Sequence, residues 1–416
     1  MLQVAHGLAG LATLLAVAWC LSEDRWRLPL RIVAGGIALQ TALAVLCIEF
    51  PPATAVFATL NDAVGTLQTA TDAGTALVFG YLGGAPLPFS EVTPGASFVL
   101  AFKAFPLVLV ISALASLMLY LGILQRIVGG FAFILRNTLG IGGALGLGAA
   151  VHIFVGMVEA PLLVRAYLNR MSRGELFALM SCGMAGVAGT MMVIYASLLG
   201  PVIPGALGNI LIASVISTPA ALAIAAIMVP FDAGAREPAV LEQSDPPSSA
   251  LESITRGTTD GIFLVASIIA MLIVFVALVH LVNAGLGLIP SPGGGAITLQ
   301  QLFGLVFKPL LWAIGIGANE LDTAAGLMAT KTVVNEFAAY LDLARLPPDA
   351  LSPRSKMIMT YALCGFANFG SAGIMIGGMT VMAPERRSEI VELAPRSIVS
   401  GTLATMSSGA VAGMLA

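Results

Sequence analysis

Charge is scarce in this chain. Only 10% of its 416 residues are Asp, Glu, Lys or Arg, against 58% hydrophobic, where soluble globular chains carry roughly a quarter charged residues. A soluble fold is thereby excluded, because soluble chains of this length divide into domains and do not grow one core large enough to hide so much apolar surface. Cysteine is scarce too. Cys20, Cys47, Cys182 and Cys364 all lie inside apolar runs, with no CxxC and no His beside them, so they are expected as buried thiols and not as a metal or redox motif. The net charge is −3 and there is no basic tail, which argues against nucleic acid as a partner. There is no GxSxG, HExxH or Walker A sequence, and no GxGxxG between a strand and a helix, so no enzymatic activity and no cofactor are expected. The apolar runs are continuous and do not alternate, which excludes a β-barrel. The N-terminus lacks a basic leader and an A-x-A site, and is expected to be a retained first helix.

What is present is a series of long apolar runs. Stretches beyond about 18 residues mark membrane-spanning helices, and the expected spans are 3–21, 29–50, 97–122, 175–198, 203–229, 259–284, 355–382 and 394–415. The fold class is therefore an all-α polytopic membrane protein with about eight spans. Residues 53–82 are expected to be interfacial, and 123–138, with Arg126 and Arg136 among aromatics, to form an amphipathic surface helix. Residues 140–172 and 301–345 each hold two short apolar halves around a Gly- and Glu-containing break. That is the pattern of a re-entrant hairpin, tolerated at membrane depth only where the break faces protein or water. Arginines cluster at 25–31, at 126 and 136, at 165–173 and at 386–387. Placing these on the inner side puts both termini outside; Arg345, Arg354 and Lys356 then fall on the other side.

The chain repeats itself. Glu159 in an apolar break is followed by a short helix, a Ser/Arg turn and a helix with Cys182-Gly-Met-Ala; Glu336 is followed by the same series and Cys364-Gly-Phe-Ala. Hairpins entering from opposite sides make an inverted repeat, an architecture of secondary transporters, whose sites lie at the midplane between broken helices. The expected divisions are N-terminal scaffold helices at 1–122, a first transport repeat at 123–230, a polar loop at 231–258, a scaffold helix at 259–298 and a second transport repeat at 299–416.

Within this frame Glu159 and Glu336 are the sharpest candidates. An ionised carboxylate at membrane depth costs several kcal/mol, so it lines a polar cavity or has a partner. The alternative is satisfaction by hairpin amides or by Asn335. Asn368 and Ser371 lie in the glycine-rich stretch GFANFGSAGIMIGG, where a helix is expected to break and free backbone groups. His152 titrates near neutrality in water, or bonds between helices. Asn319, Glu320 and Asp322 are expected to cap or orient the second hairpin.

At these residues the chain resembles the concentrative nucleoside transporter family. The motifs are FVGMVEAPLLVR at 154–165, KTVVNEFAAY at 331–340 and CGFANFGSAGIMIGG at 364–378, supported by MSRGELFALM at 171–180 and PERRSEI at 384–390. The resemblance runs from about residue 97 onward. It implies a homotrimer in a bacterial inner membrane, each protomer with a mobile domain that carries nucleoside across by elevator-like alternating access. It places Glu159 with residues 157 and 158 on the base side of the cargo, Glu336, Asn368 and Ser371 on the ribose side, and Phe366 beside the ligand.

The base side departs from the family. Sodium-coupled members commonly read Gly-Gln-Thr-Glu where this chain has Gly156, Met157, Val158 and Glu159. The amide for the base and the Thr hydroxyl for sodium are both missing. Gly186 stands where the family has a sodium-ligating Ser, and His152 where it has an Asn; backbone carbonyls of His152, Val155 and Val187 complete the degenerate position. Hard cations take about six oxygens, so proton coupling is expected, with Glu159 as carrier and His152 as a second candidate. Sodium coupling, facilitated diffusion, a different polar cargo, and a channel or receptor are the alternatives.

Overall fold

The computed structural model describes residues 2–91, 97–157, 159–232, 247–289 and 297–416, without the side chains of residues 2, 53, 54, 57, 61 and 159. Every regular element among them is helical. In the N-terminal part, α1 (Leu2–Cys20), α2 (Leu30–Glu49) and α3 (Pro51–Phe79) are followed by the short α4 (Leu100–Lys103) and by α5 (Pro106–Tyr120).

Two series then follow in the same order. The first is α6 (Ile123–Leu139), the hairpin α7 (Gly143–Val151) with α8 (Glu159–Leu163) and α9 (Arg165–Leu168), the pair α10 (Arg173–Ala185) and α11 (Gly189–Leu199), and the long α12 (Ala206–Met228). Helix α13 (Ala250–Leu286) intervenes. The second series is α14 (Leu299–Ala313), the hairpin α15 (Leu321–Val333) with α16 (Glu336–Arg345), the pair α17 (Pro353–Leu363) and α18 (Phe369–Met382), and α19 (Arg387–Leu415). The repeat is therefore longer than its sequence motifs. It begins with an amphipathic helix, α6 or α14, and ends with a long buried one, α12 or α19.

Among the described residues seven stretches are long and apolar enough to cross a membrane, and α18 is a shorter apolar helix. The expected span 355–382 is not one helix but α17 and α18, separated at Cys364–Asn368, and neither half reaches spanning length. Three changes from expectation follow from local chemistry. Helix α13 starts at Ala250, inside the segment expected to be a polar loop, because Ser249 accepts the amide of Glu252 and caps it; residues 233–246 of that loop lie outside the described residues. The stretch expected as one hairpin at 301–345 begins with the separate helix α14, which Thr298 and Gln301 start with a capping box. Cys20 is exposed and Cys47 half-buried, so only Cys182 and Cys364 are buried thiols; the first two sit on outer helices.

The long helices divide by burial. Of the most apolar windows, 89% of the α10–α11 stretch, 94% of α12 and 83% of α19 lie inside the protein, against 28% for α1, 22% for α2 and 6% for α13. The two series thus make the centre and the remaining long helices the shell. The arginine clusters meet at one end: Arg173 bonds Glu23 and Glu392, Arg396 bonds Glu23, and Arg386 donates to the carbonyls of Leu168 and Met171. Arg354 holds the carbonyls of Gly315 and Gly413 at the far end of α19, about 40 Å away at 1.5 Å per residue. The far end of α19 therefore carries an arginine as well, which counts against assigning sides from arginine placement alone.

Candidate functional site

The site is built from helix starts. Asn335 is the N-cap of α16, its Oδ1 accepting the amide of Ala338 at 2.9 Å, which makes Glu336 the first helical residue. Asn368 is the N-cap of α18, its Oδ1 accepting the amide of Ser371 at 2.7 Å. A carboxylate in a first turn is favoured by the free amides and the positive end of the helix dipole. Asn335 is therefore not the partner of Glu336, as one sequence alternative had it; it shapes the backbone beneath.

Because Oδ1 of Asn368 is committed to its own helix, Nδ2 is left to donate to Glu336 Oε2, at 2.9 Å. The Tyr195 hydroxyl on α11 donates to Oε1 at 2.7 Å. Glu336, Asn368, Ser371 and Tyr195 are all buried. Each carboxylate oxygen keeps a lone pair for another donor. Charge-assisted bonds of this kind hold the acceptor in one orientation.

These residues open on a cavity of about 360 Å³, within the roughly 300–1,000 Å³ of small-molecule sites. The hairpin tips contribute Val155, Met157, Asn335 and Glu336; the two helix breaks contribute Ala188, Phe366, Asn368 and Ser371. Polar side chains from the shell, Ser112 and Ser116 of α5 with Asp260 and Ser267 of α13, face them. A wider concavity of about 1070 Å³ runs along α2, but apart from Thr41 and Glu49 its wall is apolar, so it has no polar set to orient a solute.

The two breaks interlock. The amide of Phe366 donates to the carbonyl of Gly186 at 3.2 Å, and the amide of Gly189 to the carbonyl of Phe154 at 3.0 Å. So the first hairpin tip, the first break and the second break meet, as the repeat implied. Met157 is buried and lines the cavity. A Cβ on Gly183 would stand 3.2 Å from Met157 Cβ and 3.0 Å from His152 Cε1, so glycine there lets hairpin 1 close on α10. Val158 lies outside the described residues, as does the side chain of Glu159.

The degenerate cation position is brought together. A Cβ on Gly186 would stand 3.4 Å from the His152 carbonyl oxygen, 3.7 Å from that of Cys182 and 3.3 Å from Ser214 Oγ. Val155 borders the cavity and Val187 is buried. Two buried polar atoms here, His152 Nε2 and Ser214 Oγ, have no partner among the described residues, and such orphans call for an explanation.

Sequence reasoning missed three residues. Tyr195 sits in an apolar run with no motif around it. Lys331 lies in the quoted KTVVNEFAAY, where only Glu336 was given a role. Ser214 is on α12, which carried no signal. Of the residues expected to orient hairpin 2, Glu320 does so: its carboxylate accepts the Ser352 amide at 2.6 Å and the Ser355 hydroxyl, tying α15 to the start of α17. Asp322 pairs with Lys308.

Known proteins share this arrangement. Residues 209–413 match the family model described as Na+ dependent nucleoside transporter C-terminus, residues 9–82 the corresponding N-terminus, and residues 101–202 a model described as nucleoside recognition. An uncharacterized transporter of Haemophilus influenzae is 36% identical, covering 99% of this chain and 98% of its own length. The putative nucleoside permease NupX of Escherichia coli is 31% identical, covering 99% of each. Among solved structures, CNTnw in an inward-facing substrate-bound state superposes with a TM-score of 0.88 at 33% identity, covering 99% of this chain and 97% of that one. A variant of CNTnw in an outward-facing state superposes with a TM-score of 0.86 at the same identity, over 100% and 98%.

Proposed function

This chain belongs to the Na+ dependent nucleoside transporter family, and we propose that it imports nucleosides across a bacterial inner membrane by proton-coupled symport. The observation that carries the cargo assignment is the Glu336 carboxylate, held by Tyr195 and Asn368 with acceptor capacity facing the cavity. Vicinal ribose hydroxyls are donors that suit a carboxylate and an amide together. Ser371 adds a hydroxyl on the same side, while Phe366 and Met157 offer apolar surface to the base. That relatives have been captured facing inward and outward supports alternating access. We assign the movement to the two repeats as an elevator-like body inside a scaffold of α1–α3, α5 and α13, in a homotrimer with the hairpins in inverted orientation.

Proton coupling rests on the missing side-chain oxygens: Val158 and Gly186 have none to offer sodium. Glu159 is the assigned carrier, with His152, whose Nε2 is unpartnered among the described residues, as its neighbour in the same hairpin. Ser214 Oγ favours a second reading. It is an oxygen without a partner among the described residues, beside Gly186 and the His152 carbonyl, and would supply a sodium ligand from α12 in place of the lost Ser.

The test of the cargo site is binding of uridine and of uracil to wild type and Glu336→Gln. A hydrogen bond to a charged group is worth roughly 1.5–3 kcal/mol, so the nucleoside should bind about ten- to a hundredfold more weakly and the free base no worse. Unchanged uridine affinity removes Glu336 from the site.

A further inference from the structure

Lys331 is fully buried near the end of α15. Its ammonium donates to the carbonyl of Ala362 at 2.8 Å and to Thr405 Oγ1 at 2.9 Å. Among the described side chains no carboxylate lies within ion-pair distance of it. The Ala362 carbonyl is free for this bond because of the break. In a continuous helix it would accept from the amide four residues on, which is Phe366, but that amide is spent on Gly186. The ammonium therefore caps the C-terminal, negative end of the half-helix α17. Glu336, five residues along the same hairpin, meets the same break at its other end, accepting from Asn368.

The repeat gives this placement its meaning. Lys331 lies between its hairpin, the end of the half-helix α17 and the following long helix α19. The matching place in the first repeat is bounded by hairpin 1 (His152), the end of α10 (the Cys182 carbonyl) and the following long helix α12 (Ser214), gathered around Gly186. Thr405 and Ser214 are hydroxyls on corresponding helices, α19 and α12. Among the described residues the first repeat has carbonyls and a hydroxyl without a partner there, and no lysine; the second has the same kinds of oxygen with an ammonium supplied by the chain.

We propose that Lys331 is a built-in cation of the second repeat, filling with a covalently held ammonium the place that corresponds to the ion-coupling position of the first, and acting as a positioning residue that keeps Glu336 charge-balanced for cargo. Only the first repeat then draws a cation from solution. This rests on the reading of Glu336 as a cargo ligand.

The experiment is a double-mutant cycle of Lys331→Met and Glu336→Gln, read as uridine Kd on the purified full-length protein. Lys331→Met should weaken uridine at least tenfold, and in the Glu336→Gln background the same change should weaken it less than about twofold. A cycle whose two losses multiply means that Lys331 acts by packing, and overturns the proposal. Loss in Glu336→Gln with wild-type affinity in Lys331→Met overturns this inference alone, whereas no loss in Glu336→Gln overturns the cargo reading and this with it. Should Lys331→Met fail to fold, recovery of folded protein in the double variant supports charge balance, and failure to recover contradicts it.

Discussion

The Tyr195 hydroxyl donates to Glu336 Oε1 at 2.7 Å, and in doing so joins the second half of the first broken helix to the hairpin of the second series. Neither repeat makes the proposed cargo site alone. Ring contacts continue the link, Tyr195 lying 5.0 Å from Tyr340 and 6.2 Å from Phe337 between centroids, so the carboxylate is aimed by a packed aromatic group and not by a flexible one.

Tyr195→Phe keeps that packing and removes one bond to a charged acceptor. At roughly 1.5 kcal/mol for the bond, uridine should bind about tenfold more weakly, with thermal stability nearly unchanged. Titration calorimetry decides it, and equal affinity would reduce Tyr195 to a packing residue.

Met157 lines the cavity at the position where the family resemblance implies an amide for the base. Apolar walls separate similar ligands poorly, whereas a site built to hydrogen-bond rejects analogues by large factors. Met157→Gln should therefore widen the ratio of adenosine to uridine affinity by about tenfold or more in one direction. The same ratio in both proteins would show that residue 157 does not face the base.

Outside the membrane, Arg173 bonded to Glu23 at 2.9 Å holds that carboxyl below its ordinary value, with Arg396 adding to the effect and partial burial opposing it. A lowered carboxylate stabilises the fold at pH above its unfolded value of about 4.5, and that contribution is lost as pH falls through the folded value. Glu23→Gln should thus lower stability at pH 7 by up to about 1 kcal/mol, a deficit that shrinks as the pH falls from about 4.5 toward 3. Melting curves of both proteins across that range test it, and an equal deficit at both pH values would contradict it.

Much of the fold was legible because spanning length shows directly in the apolar runs of the sequence. The second break was legible as well, since the glycines around Asn368 mark it, and so were Glu336 and Asn368, because polar groups stand out in apolar sequence. What hydropathy could not see is where backbone bonds stop. The stretch 355–382 reads as one apolar run although Cys364–Asn368 leave the helix, and α14 merges with the hairpin that follows it. Tyr195 and Ser214 were invisible for the opposite reason. A hydroxyl in an apolar helix usually finds a carbonyl on its own turn, and only the packing shows that Tyr195 reaches another hairpin and that Ser214 has no partner among the described residues.

The most direct test of the account is uptake of labelled uridine into proteoliposomes under imposed gradients. The account predicts saturable accumulation above the outside concentration when the outside is acidic, with choline fully replacing sodium, because Val158 and Gly186 bring no side-chain oxygen to a sodium ion. Accumulation that requires a sodium gradient at equal pH would contradict proton coupling and point to Ser214 as the replacement ligand; no saturable uridine uptake under either gradient would contradict the nucleoside assignment itself.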